Sequence, residues 1–280
     1  MILLDGKALA AKVKEEVCAQ AALLPRKPGL AVILVGNDPA SRVYVTSKRK
    51  DCEACGIYSE EYALLESTTQ EELLELVAEL NGRPDLDGIL VQLPLPRHLD
   101  ESAVLEAIAP EKDVDGFHPV SAGNLLIGRP GFLPCTPAGV MAMLDEYGID
   151  PAGKRAVVVG RSNIVGKPMA LLLLRRDATV TLCHSKTPEL GELCRQADIL
   201  VSAAGRRGLI TGDMVKEGAA VVDVAMNRDE AGKLCGDVVF AEAAARAAWI
   251  TPVPGGVGPM TRAMLMKTTL LAAQTRQKAH

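Results

Sequence analysis

The chain has 280 residues, 48% of them apolar and only 3% aromatic, with a formal net charge of −4. That length is long for one core and predicts two domains. Without a basic excess or many rings for stacking, an extended nucleic-acid or membrane-surface footprint is excluded.

Only three apolar residues separate Met1 from Asp5, too few for a secretory segment, and the apolar run MALLLL (169–174) ends at Arg175 before it could span a bilayer. Seven cysteines in no regular framework suit reduced thiols and a cytoplasmic setting. Cys52 and Cys55 form a lone CxxC, and the histidines (His98, His118, His184, His280) are scattered, so no metal site is expected. The two cysteines are read instead as small hydrophobes on a helix.

Helical periodicity runs from Asp5 to Leu24 and stops at Pro25 and Pro28-Gly29, before LAVILVG (30–36), a continuous apolar run that reads as a buried strand. Asp38 to Cys55 is predicted helical. Within it SRVYVTSKRK (41–50) sets Tyr44 and Lys48 four residues apart, on one helix face. The plain reading of Lys48, Arg49 and Lys50 is a solvated basic face. Residues 58–62 are predicted extended; Thr69 and Glu72 make a capping box for a helix closed by Gly82 and Pro84. DGILVQL (87–93) is the next buried strand. Gln92 at its C-terminal end must find partners, because an unsatisfied buried amide costs roughly 1–3 kcal/mol.

Glycines and prolines break every period between Pro110 and Pro137, a stretch that reads as a linker with loops. A second alternation follows, with strands at 155–160, 178–183, 197–202 and 219–224 and a helix at 167–175. Strands alternating with helices in both halves imply parallel sheets with functional residues at the strands' C-terminal ends.

VVVGRSNIVGKP (157–168) orders an apolar strand, a tight glycine turn and a helix start, as a phosphate-binding turn requires. It departs from GxGxxG: Ser162 takes the second glycine position and Val165 the third, with Gly166 one place later. About 20 residues on, where an acid would bond a ribose hydroxyl, the chain reads CHSKT (183–187). Without a carboxylate there to repel a 2′-phosphate, Ser185 can donate to one, and Arg161 or Lys186 can offset its charge, which favours NADP over NAD.

The pair Tyr44 and Lys48 fits the YxxxK of short-chain dehydrogenases, but it precedes the nucleotide turn by more than a hundred residues and lies in the other half, which rejects that family. The chain instead resembles the bifunctional methylenetetrahydrofolate dehydrogenase/methenyltetrahydrofolate cyclohydrolase family almost end to end. The likeness rests on ASRVYVTSKRKDCEACGI (40–57), DGILVQLPLP (87–96), PEKDVDGFHP (110–119), PCTPAGV (134–140), the 157–168 turn, CHSKT and TPVPGGVGPMT (251–261).

The resemblance implies an α/β protein of two domains: a folate-binding catalytic domain over 1–119 and a Rossmann-type NADP-binding domain over 120–258. A C-terminal helix, 259–280, would return to the first domain with Met264, Thr268 and Leu271 on one face. It implies oxidation of 5,10-methylenetetrahydrofolate with NADP, then hydrolysis of the methenyl product to 10-formyltetrahydrofolate, and a homodimer. Lys48 would be the general acid/base, which near neutral pH requires burial or a nearby cation to ease the proton off an amine that ordinarily holds it to about pH 10.4. Gln92 would orient Lys48 without adding negative charge; Tyr44 would offer a ring face and a hydroxyl. Asp115 would anchor the aminopyrimidine edge, whereas Asp113 reads as a turn former. Val91, Leu93, Pro254, Gly255 and Gly256 would complete the substrate site, and Gly160, Arg161, Ser162, Ser185 and Met226 would bind the cofactor.

Three features depart from the family pattern: Ala225 where a glycine is expected, whose methyl could crowd the nucleotide; Ala203-Ala204 in place of a bulkier residue; and Arg206-Arg207 in place of one basic residue and a proline. They keep two other readings in view, a monofunctional dehydrogenase and a non-catalytic folate or nucleotide binder.

Overall fold

The structure is a computed structural model that describes residues 1–278, the side chains of Ala40 and Lys278 apart; His280 lies outside the described residues. The chain divides into two units, one of Ala11–Leu133 with Arg262–His280, the other of Met1–Ala10 with Pro134–Thr261.

In chain order the first elements are β1 (Ile2–Leu3), α1 (Gly6–Ala21), β2 (Gly29–Val35), α2 (Pro39–Ala54), β3 (Tyr58–Leu64), α3 (Gln70–Gly82), β4 (Gly88–Val91), α4 (Glu101–Ala107) and α5 (Pro119–Leu126). β2, β3 and β4 form a parallel sheet in the order β3-β2-β4, with Leu30 opposite both Ser59 and Gly88. Every residue of β2 and β4 is buried, as continuous apolar runs dictate for a central parallel strand. One face packs Ile33, Ile89 and Val91 against Leu73, Val77 and Leu80 of α3 and Val104 of α4. The Thr69 capping box opens α3 as predicted: Glu72 N donates to Thr69 Oγ1 at 3.2 Å, and Thr69 N to Glu72 Oε2 at 2.8 Å.

The remaining elements are α6 (Cys135–Glu146), β5 (Arg155–Val159), α7 (Gly166–Leu174), β6 (Thr179–Cys183), α8 (Leu190–Arg195), β7 (Ile199–Ser202), β8 (Ala220–Asp223), β9 (Asn227–Arg228), β10 (Leu234–Cys235), α9 (Phe240–Ala244), β11 (Trp249–Ile250) and α10 (Val257–Lys278). Six strands form a parallel sheet in the order β1-β11-β8-β7-β5-β6, and β9 and β10 form an antiparallel hairpin. The order changes direction between β5 and β7, the crevice position at which open α/β sheets hold ligands.

The division differs from the one expected at 119/120. It falls at 133/134, because the loop-rich stretch before it contains α5, with Pro119 at its first position, where proline is tolerated. Met1–Ala10 joins the second sheet rather than the first, because β1 pairs in parallel with β11, Ile2 opposite Trp249. The expected linker to Pro137 likewise hides the start of α6.

From Arg262 onward α10 belongs with the first unit: Gln277 exchanges hydrogen bonds with the Arg26 backbone at 3.3 and 3.4 Å, and Arg276 lies 3.7 Å from the buried Asp87. Its buried side carries Ala263, Met266, Leu270 and Ala273. Leu271, expected on the packed face, is 48% exposed. Among the described residues no helix is long and apolar enough to cross a membrane.

Candidate active site

Asp38 caps α2 by accepting from Ser41 N at 2.7 Å, with Pro39 at the first helical position. Along that helix Arg49 and Lys50 are exposed, but Lys48 is buried at 9%. The run is therefore not a uniformly solvated face, and its first lysine points inward.

Lys48 Nζ donates to Gln92 Oε1 at 3.0 Å. Gln92 continues the β4 ladder, its N–H bonding Ile33 O at 2.8 Å, and its Nε2 donates to the Leu93 carbonyl at 2.7 Å. These partners fix the amide's orientation: an ammonium only donates and a carbonyl only accepts, so the amide oxygen must face Lys48. Both ends of the half-buried amide are thus satisfied. Val91 is buried and Leu93 half-buried beside it.

Tyr44, one turn before Lys48, is half-buried; burial holds its phenol above the ordinary value against the opposing pull of the Arg262 cation. Arg262 also lies 3.2 Å from Asp51, which accepts from Lys14 at 2.9 Å.

Asp113 and Asp115 have separate surroundings. Asp113 is buried and organises its own loop, accepting from Phe117 N at 3.0 Å, His118 N at 2.9 Å and Ser121 Oγ at 2.6 Å. Burial still raises its carboxyl, and the Asp115 charge adds to that. A parallel bridge joins Asp113 to Ile89, so the segment runs beside β4, and Asp115 follows two residues on, half-buried. Just before them Lys112 is fully buried, its Nζ donating to the Leu80 and Arg83 carbonyls at the end of α3 at 2.9 and 2.6 Å.

Pro254, Gly255 and Gly256 belong to the other unit, between β11 and α10. Gly256 N closes a turn onto Pro252 O at 2.9 Å, and a Cβ on Gly256 would stand 2.6 Å from that oxygen. The glycine is demanded by its own turn as well as by any ligand.

The same unit holds a cavity of about 400 Å³ at the C-terminal ends of β5, β6 and β7. Gly160, Arg161, Ser162 and Ser185 line it. At Gly160, φ is +123° and a Cβ would meet Ala203 O at 2.3 Å; at Gly166 it would meet Gly160 O at 1.9 Å. Gly166 therefore lets the first turn of α7 close on the strand, as the fingerprint's third glycine does, one place late. Ser162 Oγ accepts from Val165 N and Gly166 N at 3.2 and 3.4 Å just ahead of α7, leaving its O–H to donate. His184 Nδ1 accepts from Lys186 N at 3.1 Å, so its Nε2 carries the proton when the ring is neutral.

The lining includes Arg161 and Arg206 and no carboxylate, which fits a dinucleotide with an extra phosphate better than one with a bare ribose diol. Met226 does not line this cavity; it stands after β8, 44% exposed. Ala225 is buried and is not in the lining either, so the expected crowding there has no counterpart in the cavity wall. Arg206, Thr187 and Leu209 were not foreseen as binding residues. For Arg206 the signal existed, since a basic residue at that position is part of the family pattern.

A family model described as tetrahydrofolate dehydrogenase/cyclohydrolase, catalytic domain, matches residues 4–115, and the corresponding NAD(P)-binding domain model matches residues 134–277. The chain belongs to this family. It is 60% identical over 275 residues to the bifunctional protein FolD of Moorella thermoacetica, covering 97% of this chain and 98% of that protein. Among solved structures, the bifunctional FolD methylenetetrahydrofolate dehydrogenase/cyclohydrolase of Campylobacter jejuni is 55% identical with a TM-score of 0.97, covering 99% of each chain. The FolD dehydrogenase-cyclohydrolase of Trypanosoma brucei, solved with NADP cofactor and an inhibitor, is 44% identical with a TM-score of 0.94, covering 98% of each chain.

Proposed function

We propose that this tetrahydrofolate dehydrogenase/cyclohydrolase oxidises 5,10-methylenetetrahydrofolate to the methenyl form with NADP and then hydrolyses that product to 10-formyltetrahydrofolate. The observation that carries the reading is the buried Lys48 ammonium 3.0 Å from a neutral amide. NADP, when bound, supplies the hydride acceptor. In the cavity Arg161 and Ser185 bind its 2′-phosphate, while Gly160 and Ser162 form the turn that receives the remaining phosphates. That step demands positioning more than proton transfer.

Hydrolysis demands a base. Lys48 as the free amine takes a proton from the water that attacks the methenyl carbon and returns it to N5 as the C–N5 bond breaks, while the hydroxyl proton of the adduct leaves to solvent as the formyl C=O forms. The positive charge of the methenyl group favours the free amine. Gln92 orients the lysine through the 3.0 Å bond and, being uncharged, does not hold the proton on it. The Tyr44 ring supplies a face for the pterin and its hydroxyl a further donor. Asp115 accepts two hydrogen bonds from the aminopyrimidine edge, while Asp113 keeps the loop in shape.

The test is one incubation with methylenetetrahydrofolate and NADP, following reduced cofactor and formyl product together, on wild type and Lys48→Met. Wild type forms both. Lys48→Met loses formyl production by about 10² to 10⁴, the usual contribution of a general base, with folate affinity retained. Unchanged hydrolysis in the variant defeats the assignment.

We place the enzyme in the cytoplasm as a homodimer. Seven free cysteines suit a reducing compartment. β6 is an edge of the six-stranded sheet, with Leu182 37% and Leu174 57% exposed beside it, the kind of edge a second copy covers. Sedimentation equilibrium returning a single-chain mass at micromolar concentration overturns the dimer.

A further inference from the structure

Beneath the cavity lies a carboxylate that no part of the chemistry above uses. Asp237, after β10, is fully buried. Its Oδ2 accepts from Ser202 Oγ at 2.9 Å, Ala204 N at 2.8 Å and Gly205 N at 3.2 Å. Its Oδ1 accepts from Arg206 N at 2.6 Å and Asn227 Nδ2 at 3.0 Å. None of these five donors is a cation. Three are successive backbone N–H groups around Gly205, whose φ is +66°, the concave arrangement that elsewhere cups a bound anion.

Here the protein fills that cup itself. The loop after β7 therefore has no amides at 204–206 to spare for a phosphate, while Arg206 is the one cationic residue that this loop contributes to the cavity lining. A second carboxylate secures the first: Asp223 accepts from Asp237 N at 3.1 Å, Val238 N at 2.9 Å and Ala225 N at 3.2 Å. A Cβ at Gly236 would lie 1.9 Å from Asp223 Oδ2, so only glycine fits against the Asp223 carboxylate at that position. The β9–β10 hairpin is thus clamped at its base and tied to the cavity loop.

We propose that Asp237 is a positioning residue for nucleotide binding: its buried carboxylate gathers the amides of residues 204–206 and so presents Arg206 to a phosphate of the dinucleotide. The proposal rests on the cavity being the NADP site. An ionised acid is needed because all five partners donate and a carboxylate only accepts. Asparagine at 237 would turn an NH2 toward N–H groups at one end or the other.

The test is titration of NADP by calorimetry into wild type, Asp237→Asn, Arg206→Ala, the double variant and Arg161→Ala, with the unfolding midpoint of each measured without nucleotide. Arg206→Ala and Asp237→Asn each weaken NADP by about tenfold or more, the worth of a hydrogen bond to a charged group. The double variant is no weaker than Asp237→Asn alone. In steady state Asp237→Asn raises KM for NADP while KM for methylenetetrahydrofolate stays put, a split that general loosening of the fold does not produce.

Wild-type NADP affinity in Asp237→Asn, or additive losses in the double variant, overturns the proposal. If Arg161→Ala also binds normally, the cavity reading falls with it; if only Arg161→Ala weakens binding, the proposal falls alone. Should Asp237→Asn fail to fold, Asn227→Ala and Ser202→Ala each remove one donor and keep the acid. A loss of about threefold that vanishes in the Arg206→Ala background supports the proposal, and no loss in either variant overturns it.

Discussion

Replacing Gln92 by glutamate keeps the shape of the side chain, sets a negative charge against Lys48 and removes the donor to the Leu93 carbonyl. The ammonium and the amide oxygen are 3.0 Å apart in a site where the lysine is 9% exposed. A carboxylate at that distance attracts the ammonium by 332/(20 × 3.0), about 5.5 kcal/mol at an effective dielectric of about 20. At about 1.4 kcal/mol per decade, the free amine becomes up to about 10⁴-fold scarcer at any fixed pH. Desolvation of the new carboxylate offsets part of this. Hydrolysis of methenyltetrahydrofolate at pH 7 is therefore expected to fall by about 10² to 10⁴, with a rate that keeps climbing at alkaline pH beyond the point where the wild type levels off. The assay is loss of methenyltetrahydrofolate against pH, with folate affinity measured alongside. If Gln92→Glu hydrolyses at the wild-type rate near neutrality, Lys48 is not the base, and the neutrality of residue 92 has no catalytic meaning.

Arg161→Ala is expected to weaken NADP by about tenfold or more and NAD hardly at all, read from KM for each nucleotide; equal losses would remove Arg161 from 2′-phosphate recognition. Asp223 gives a signature in stability. Burial, reinforced by the Asp237 charge, pushes its carboxyl up from 3.8 to about 6, so the folded state holds the proton longer than the unfolded one. The stability this confers is complete below about pH 4 and is lost as pH rises through about 6, some two units at about 1.4 kcal/mol each, or about 3 kcal/mol. Asp223→Asn lacks that slope, so the gap between the two unfolding curves should change with pH. Parallel curves refute it.

The parts of the fold visible in the sequence are those set by local chemistry. LAVILVG could only be a strand buried on both faces, and β2 is buried along its whole length; the Thr69–Glu72 box opens α3 because its two hydrogen bonds need no distant partner. What stayed hidden is what depends on partners far along the chain. β1 has two residues, and only pairing with β11, about 250 positions away, makes it a strand. α5 and α6 were obscured for another reason: prolines counted as breakers sit at 119, the first position of α5, and at 134 and 137, around the first turn of α6, where a missing N–H costs nothing.

The candidate site divides along the same line, and the division says something about how charge is handled in it. Gln92 was legible because an amide closing an apolar strand is odd for its element; Lys48 read as part of a solvated basic face and was singled out only by the family resemblance, and the structure sets the two 3.0 Å apart. Asp237 carries no such local mark. Its partners come from Ser202, the 204–206 loop and Asn227, and its burial is tolerable only when all of them converge. In the proposed hydrolysis, where Lys48 moves a proton, the chain sets the neutral Gln92 beside it. In the proposed nucleotide site it buries the Asp237 carboxylate against backbone amides, with Arg161 and Arg206 in the cavity lining. An acid moved from the second place to the first would attract the proton that Lys48 releases in the proposed hydrolysis, and an amide moved from the first to the second would leave donors facing donors.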